Sequence, residues 1–573
     1  MYQEVSSISS LDNEQLHLVF SEQLDLLGLA SKQKRKVNSS QNTKERVILT
    51  LISSMLTKSS LEIGKKHLNV ISTSIYSVLS SIKASQDTNA ALDNAIEIFM
   101  PESRKSPLSA SRQAVTDNVI QDTKSHLDDK LKENYAACMD ELNDFKGKSK
   151  EVILAIDTTP EETRSKYLND QYSFVHIGQN NTWKRGFTYS SVYDCTNQLF
   201  LSTLHQNYHK PKCENDSIQA FIIQLQNSCK IVEGAGSKVK FIDADRGYYN
   251  GELFTAAYFN QISSRCKHND NIRVIVPKKF TREKVRKKVA FLEDPNSKEV
   301  FMDYINLSKY THPSLKGYCE ASEMKTYDSM YHIPVVLVAV VDGYQTNRNR
   351  KLKDLKHEWM VTKKNIKTSE DRIDEYQKEY IDLQKKAGIK NPSKIKKITQ
   401  RKRTKFRNSQ LYKKYKQIIK SMEYLKKLKK NQTLMLNSLM FFTISSTINE
   451  VIKRKTDYFI KLAQVYHERW CIENGFKEGK AKFVRSSRSR KSTQRQWNLE
   501  LGMILYNRWH VARMRMMLEQ ERKKAWNKVS WEPRSPYIRR KFERKYSSIL
   551  SAESYLLQLL EYGIKIRLEK LFK

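Results

Sequence analysis

The sequence predicts a mixed α/β core, a sheet flanked by helices, that is interrupted by a long inserted segment. Three observations predict it. Short apolar runs between residues 150 and 280 alternate with helical patterns. Residues 1–145 contain few strand-like runs, and residues 350–430 carry heptad spacing. The predicted regions are 1–145 (helical), 146–280 (core), 281–440 (insertion), 441–490 (core) and 491–573 (helical).

Charge is the strongest compositional signal. The 573 residues carry a formal net charge of +39, which indicates a polyanionic partner such as nucleic acid. The longest aliphatic run, residues 335–341, is too short to span a membrane, and no signal peptide begins the chain, so we expect an intracellular protein without membrane contact. The seven scattered cysteines include no Cys-x2-Cys pair, which favours reduced thiols over disulfides or zinc.

The N-terminal region contains one candidate DNA-binding motif. Ser60–Lys66 is predicted to form a first helix, residues 68–70 a turn, and Ser72 the cap of a second helix. This order is typical of a helix-turn-helix, which would place the second helix in the major groove of DNA. An ordinary helical hairpin fits the pattern equally well, so both interpretations stay open.

The core begins with an apolar run, residues 151–156, that ends in Asp157, which is typical of a buried strand with an acidic residue at its tip. Residues 187–193 and 199–204 alternate as a hairpin, followed by a helical pattern at 218–232.

A second acidic strand end follows. Residues 239–243 form a short strand-like run with Asp243 and Asp245 at its end, before a helix at 251–261 and a strand at 272–277. Asp243 and Asp245 fall on the same side of a strand, so alternation alone does not decide between them.

A stripe of functional side chains follows in the second core segment. Tyr466, Arg469, Glu473 and Lys480 are separated by three, four and seven residues, so a helix over 457–482 would align them. A carboxylate flanked by Arg, Lys and a phenol suits a metal ion held against a phosphate. A salt-bridge ladder on a charged surface helix is the alternative. The apolar stripe Leu462, Val465, Ile472 and Phe476 would dock this helix on the core.

The spacing Tyr-x2-Arg-x3-Glu-x6-Lys resembles the signature of one branch of the insertion-sequence DDE transposases, which have an RNase H-like core with a mixed five-stranded sheet. The resemblance covers residues 150–280 and 440–490, where Asp157-Thr-Thr and Asp245-Arg-Gly-Tyr match the motifs around the first two acidic residues. It implies that Asp157, Asp245 and Glu473 are catalytic and hold two Mg²⁺ ions, with Mn²⁺ as a substitute. The second motif favours Asp245 over Asp243.

The resemblance also implies an activity and partners. The enzyme would cleave the ends of an insertion sequence and join them to target DNA, acting as a homodimer on double-stranded DNA in a prokaryotic cytoplasm. Two alternatives remain, a domesticated nuclease and a non-catalytic nucleic-acid-binding protein. The residues expected to contact DNA are Tyr466, Arg469, Lys480, Arg246, Arg485, Arg488 and Arg490.

The insertion, residues 281–440, departs from the largely β insertion of that family. Residues 334–341 are predicted to form a strand, whereas 350–430 carry heptads that fold back at 387–392. Residues 350–430 hold 28 basic and 9 acidic residues, a net charge of +19. A structural arm, a DNA clamp and a dimer contact are the open interpretations. The C-terminal helices predicted at 497–523 and 552–571 would cover the core or pair with a second subunit.

Overall fold

In the computed structural model the chain folds into two compact units. The first unit is Met1–Ile275 with Tyr310–His312 and Val465–Lys573, and the second is Val276–Lys309 with Pro313–Gln464. The described residues are 11–26, 44–85, 90–100, 107–110, 127–147, 151–162, 173–177, 182–206, 218–248, 251–258, 262, 272–277, 292–293, 300–306, 332–341, 352–392, 409–437, 439–445, 456–484, 492–524 and 549–572.

Six strands of the first unit form a mixed sheet. In it, β1 lies between antiparallel β3 and parallel β5, β6 continues parallel to β5, and β2 and β4 both pair with β3. The strands are β1 (Glu151–Glu162), β2 (Ser173–Ile177), β3 (Thr182–Asp194), β4 (Leu199–Gln206), β5 (Lys238–Ala244) and β6 (Arg273–Pro277). Helices precede β5 and β6 in the chain, because a strand that joins a sheet in parallel must be reached by a crossover connection.

The prediction of five strands is therefore wrong. Five strand-like runs are predicted from apolar or alternating patterns, and β2, whose five residues carry little pattern, is additional. The prediction that β1 ends at Asp157 is also wrong. Pairing with β5 stops at Ile156, but β1 continues along β3 as far as Glu162.

Ten helices are found among the described residues of the first unit. They are α1 (Asn13–Leu26), α2 (Lys44–Leu56), α3 (Leu61–Ser85), α4 (Ala90–Phe99), α5 (Leu127–Lys146), α6 (Ile218–Gly234) and α7 (Gly251–Tyr258), and later α11 (Trp470–Lys482), α12 (Ser492–Lys524) and α13 (Ala552–Phe572). Among the described residues no single helix is long and apolar enough to cross a membrane, and only the pair α2 and α3, bent by 105°, passes that test together.

The helix-turn-helix predicted at 60–79 is wrong, because α3 runs without a break through residues 68–70. Leu68 is fully buried in the core. The Ser72 hydroxyl, which was expected to cap a second helix, instead donates to the Leu68 carbonyl at 2.9 Å, and the next hydroxyl, Thr73, donates to the Asn69 carbonyl at 3.0 Å. Such back-bonding is compatible with a continuous helix. The chain turns earlier, where Lys58 has a φ of 48°.

The long helix α12 lies in the core rather than on its surface. Asn507, which is fully buried, pairs with both backbone groups of Phe200 in β4. The Phe200 N–H donates to Asn507 Oδ1 at 2.8 Å, and Asn507 Nδ2 donates to the Phe200 carbonyl at 2.9 Å and to Asn134 Oδ1 at 3.0 Å. The amide thus satisfies the edge of β4 and ties it to α12 and α5.

We expect Asn507→Ala to destabilise the first unit by about 2–4 kcal/mol, because it leaves buried backbone groups without partners and creates a cavity. Thermal unfolding followed by circular dichroism measures the change. Asn474→Ala, at an exposed position of α11, is the matched control and should be near neutral. Equal melting temperatures for the two variants would contradict this account of the β4 edge.

The second unit combines a sheet with a helical hairpin. Strands β7 (Val300–Asn306), β8 (His332–Val341) and β9 (Leu439–Ser445) pair antiparallel in the order β7-β8-β9. Helices α8 (Leu352–Lys386) and α9 (Gln410–Asn437) pack along each other, and α10 (Thr456–Val465) follows. The strand predicted at 334–341 and the helical hairpin predicted in 350–430 are both present.

Candidate active site

Two acidic residues meet at the point where β1 and β5 part. The last parallel pair is Ile156 with Ala244, so Asp157 and Asp245 are the next residues of two neighbouring strands. The chain then leaves β5 in a 3₁₀ turn over Arg246–Tyr248, and the Tyr248 N–H donates to the Asp245 carbonyl at 2.9 Å. Carboxyl ends of neighbouring parallel strands are a usual location for binding sites in α/β proteins.

The helix that carries Glu473 is shorter than predicted. Instead of one helix over 457–482, α10 ends at Val465, Tyr466–Arg469 form a 3₁₀ turn, and α11 begins at Trp470. Tyr466 and Arg469 therefore lie on the turn, whereas Glu473 and Lys480 lie on α11.

Aromatic and small residues dock α11 on the sheet. Phe476 packs against Phe200, with ring centroids 5.5 Å apart, and Ile472 is fully buried. A Cβ at Gly475 would lie 2.9 Å from the Tyr193 ring, so the backbone approaches the sheet closely there. This packing directs Glu473, one turn earlier, toward the end of β1.

Arg469 joins the carboxylates of the two chain segments. Its Nη1 donates to Asp157 Oδ2 at 2.7 Å, and its Nη2 donates to Glu473 Oε1 at 2.5 Å. Its guanidinium carbon lies 5.3 Å from the centre of the Tyr466 ring. Side chains that are 312 residues apart in sequence are thereby connected. The contact with Glu473 is the (i, i+4) pair of the alternative salt-bridge ladder, but the contact with Asp157 connects it to the end of β1. We call Arg469, Asp157 and Glu473, together with the adjacent Asp245, the cluster.

The electrostatics of the cluster are set by burial and by its own charges. Burial is the main cause that raises the pKa of Asp157, and the charges of Asp245 and Glu473 raise it further. The positive charge of Arg469 opposes them, and the pKa of Asp157 is raised to about 7. The Thr158 N–H, which donates to Asp157 Oδ1 at 2.8 Å, also lowers it. The two acidic neighbours thus act on Asp157 as like charges in a poorly solvated place.

The position of the strand end favours Asp245 over Asp243 as the second member of the cluster. Burial lowers the pKa of Arg469, but Tyr466 and the charges of the three carboxylates raise it more, so the net shift is upward. Asp243 is fully buried within β5, opposite Ala155, whereas Asp245 is partly accessible beyond the strand end. The strand end, rather than alternation, distinguishes these two residues.

Tyr466 and Lys480 border the cluster on different sides. Tyr466 is buried, and burial raises the pKa of its phenol, as do the charges of Asp245, Asp243 and Asp157. Lys480 Nζ donates to the Pro160 carbonyl of β1 at 3.1 Å. Burial lowers the pKa of Lys480 to about 8, opposed by Glu161. Lys480 therefore lies along the segment of β1 that contains Asp157, whereas Tyr466 lies beside Arg469.

The carboxylates of the cluster are suitable ligands for a divalent cation, but Arg469 lies between two of them, Asp157 and Glu473. Three carboxylates supply only oxygen ligands, which Mg²⁺ prefers. Within the described ranges no three Asp, Glu, His or Cys side chains are grouped closely enough to hold a metal ion as they stand. The guanidinium occupies the space between Asp157 and Glu473 and offsets their charge, so a cation and Arg469 would compete there.

Of the other arginines predicted to contact DNA, only Arg246 lies among the described residues. Arg246 is exposed in the 3₁₀ turn after β5. Arg485, Arg488 and Arg490 lie outside the described residues. Arg495, from the same basic stretch, is buried, forms an ion pair with Glu161 and lies 5.0 Å from the Phe187 ring. No sequence signal marks that pair, because its partners are 334 residues apart.

Comparison with known proteins gives little further guidance. No family model matches the chain, and no curated protein matches it. Among solved structures, the chain is similar to a piggyBac transposase synaptic complex with hairpin DNA, determined by cryo-EM. The two share 8% identity over 95% of this chain and 86% of that chain, with a TM-score of 0.33. A TM-score of this size does not assign a fold or a function.

Proposed function

We propose that this chain is a metal-dependent DNA transposase of the DDE type, with an RNase H-like core. The observation that supports the proposal is that Arg469 contacts both Asp157 and Glu473 beside the strand end that carries Asp245. The chain order β1, β2, β3, β4, α6, β5, α7 and β6, followed later by α11 with Glu473, supports the fold assignment. Binding alone would not require three acidic residues in a chain with a net charge of +39.

Each residue of the cluster has a role in this proposal. Asp157, Asp245 and Glu473 would hold Mg²⁺ or Mn²⁺. When bound, two such ions activate the attacking oxygen and stabilise the leaving oxygen of a phosphodiester. Arg469 is assigned to phosphate positioning, since its Nε is buried and has no acceptor within the described residues. Lys480 and Tyr466 supply a further cation and a phenol beside the same segment of β1.

The proposed reaction is cleavage at the ends of an insertion sequence, followed by joining of the 3′-hydroxyl to target DNA. Duplex DNA at the element ends and at the target would be the substrate, and a homodimer would hold the two ends together. The reaction would take place in the cytoplasm of a prokaryotic cell. A nuclease that cuts but does not join would use the same three carboxylates.

The test is a plasmid assay with the purified full-length chain. We expect Mg²⁺ or Mn²⁺ to support nicking of supercoiled DNA, and EDTA to abolish it. Plasmids that carry the DNA flanking this reading frame should also yield joined products if short inverted repeats bound the frame. Nicking without joining would identify a nuclease, and the absence of metal-dependent cutting on either plasmid would refute the enzymatic proposal.

A further inference from the structure

The helical hairpin of the second unit has one end anchored on the sheet. Leu355 and Trp359 of α8 are buried with Leu337 and Phe441 of the sheet. Farther along, Tyr380 lies in a small cluster with Tyr415 and Ile418 of α9, whose described members all belong to the hairpin. The buried positions of α8 are mainly apolar and include three polar residues, Thr362, Ser369 and Gln384. Most charged residues of the two helices are exposed.

Charge is distributed unequally between the two helices. α8 has nine basic and eight acidic residues, whereas α9 has eight basic residues and one acidic residue, Glu423. The connection between them, residues 387–409, has nine basic and no acidic residues. The excess charge of the hairpin thus belongs to α9 and the connection, not to α8.

Part of the charge on α9 is neutralised inside the hairpin. Lys414 pairs with Glu379 of α8 and lies 4.5 Å from the Tyr376 ring, and Lys429 pairs with Glu370 at 2.7 Å. These contacts use two of the acidic residues of α8. They hold the helices together and leave the opposite face of α9 to its remaining lysines.

Five of those lysines form what we call the lysine stripe. All five are exposed, and no ion pair with an acidic residue is found for them among the described residues. Spacings of three, four, seven and three place them on one side of the helix, opposite Tyr415 and Ile418. Glu423 lies on the same side, and Tyr424, 52% exposed, lies at its edge. The members are Lys413, Lys416, Lys420, Lys427 and Lys430.

We infer that the lysine stripe of α9 binds the phosphate backbone of double-stranded DNA, and that the outer face of α8 does not. The stripe extends over about 25 Å of helix. A duplex presents roughly 15 phosphate charges over that length. Lysines are point charges without a fixed fork, which suits contacts that do not read sequence. A second copy of the stripe would be repelled by equal charge, so a dimer contact through this face is disfavoured.

This inference rests on the proposed function for its choice of DNA, but its test is independent of cleavage. The probe is a linear duplex of arbitrary sequence, longer than the stripe, titrated in EDTA with the full-length chain. One variant changes the five stripe lysines to Gln. The matched control changes five exposed lysines of α8 to Gln: Lys353, Lys364, Lys367, Lys378 and Lys386.

We expect the stripe variant to flatten the slope of log affinity against log salt by about four, close to 0.9 per lost contact. The control should change the slope by less than about one. Protection of the stripe lysines from acetylation by bound DNA, in the unaltered chain, provides a second measurement that does not depend on the variants. Equal slopes for the two variants, or acetylation unchanged by DNA, would overturn the inference.

The two proposals can fail separately. A changed salt slope together with absent metal-dependent cutting would leave the stripe as a DNA-binding face and refute the transposase. Normal cutting with an unchanged slope would refute the stripe alone. Stronger competition by an acidic polypeptide than by duplex DNA would indicate a protein partner and would also overturn the inference.

Discussion

Asp157→Asn, Asp245→Asn and Glu473→Gln should each abolish DNA cleavage and leave DNA binding in EDTA unchanged. Each change replaces a carboxylate by an amide of nearly equal size, so the packing around β1, β5 and α11 is kept while a charged oxygen ligand is lost. By analogy with removing one group that stabilises a transition state, the cleavage rate should fall by at least about 10²–10³. Single-turnover cleavage of supercoiled plasmid measures the loss.

Two further variants sharpen that result. Asp140→Asn, at an exposed position of α5, is the matched control and should cut normally. Asp243→Asn tests the choice at the end of β5, because Asp243 is buried inside the strand. An active Asp245→Asn together with an inactive Asp243→Asn would reverse that assignment. Normal cutting by all three cluster variants would refute the proposed site.

Arg469→Gln should have two opposite effects. The guanidinium that bridges Asp157 and Glu473 is lost, so the carboxylates repel each other and attract a divalent cation more strongly. We expect Mn²⁺ affinity without DNA, measured by electron paramagnetic resonance, to rise by at least about ten-fold, since charges at such distances interact by several kcal/mol at an effective dielectric constant near 20. Cleavage should fall by about 10² or more, because the phosphate loses a charged donor.

The control for Arg469 is Arg515→Gln. Arg515 also forms an (i, i+4) pair, with Glu519 at 3.1 Å, but both side chains are well exposed on α12. Such pairs contribute little, so neither measurement should change. If Arg469→Gln is neutral in both Mn²⁺ affinity and cleavage, the contact is only a salt-bridge ladder. Adding Glu473→Gln to Arg469→Gln should remove the gain in Mn²⁺ affinity.

Local patterns were sufficient for much of the fold. The β3–β4 hairpin, the helix α6 and the strand β8 follow from alternation or helical periodicity, because most of their side chains whose burial is described are buried. The heptads of α8 are equally local, and its buried residues include Leu355, Trp359 and Ile366 at that spacing. The order of the three candidate carboxylates along the chain was also apparent from motifs.

Local patterns failed where distant packing decided the backbone. The helix predicted over 457–482 is interrupted by the 3₁₀ turn at Tyr466–Arg469, although its periodicity is continuous. The turn predicted near Leu68 is absent, because that side chain is fully buried in a continuous helix. In both places the periodicity of side chains did not reveal how the segment meets the rest of the unit.

The sequence by itself determined which residue types could form a site and in which order they occur. Only the tertiary structure decided how they meet. The register of β1 and β5 makes Asp157 and Asp245 neighbours, because pairing stops one residue earlier on both strands. The docking of α11 through Ile472 and Phe476 brings Arg469 to Asp157 across 312 residues. Such contacts depend on strand register and side-chain packing between distant segments, and neither leaves a periodic signal in the sequence.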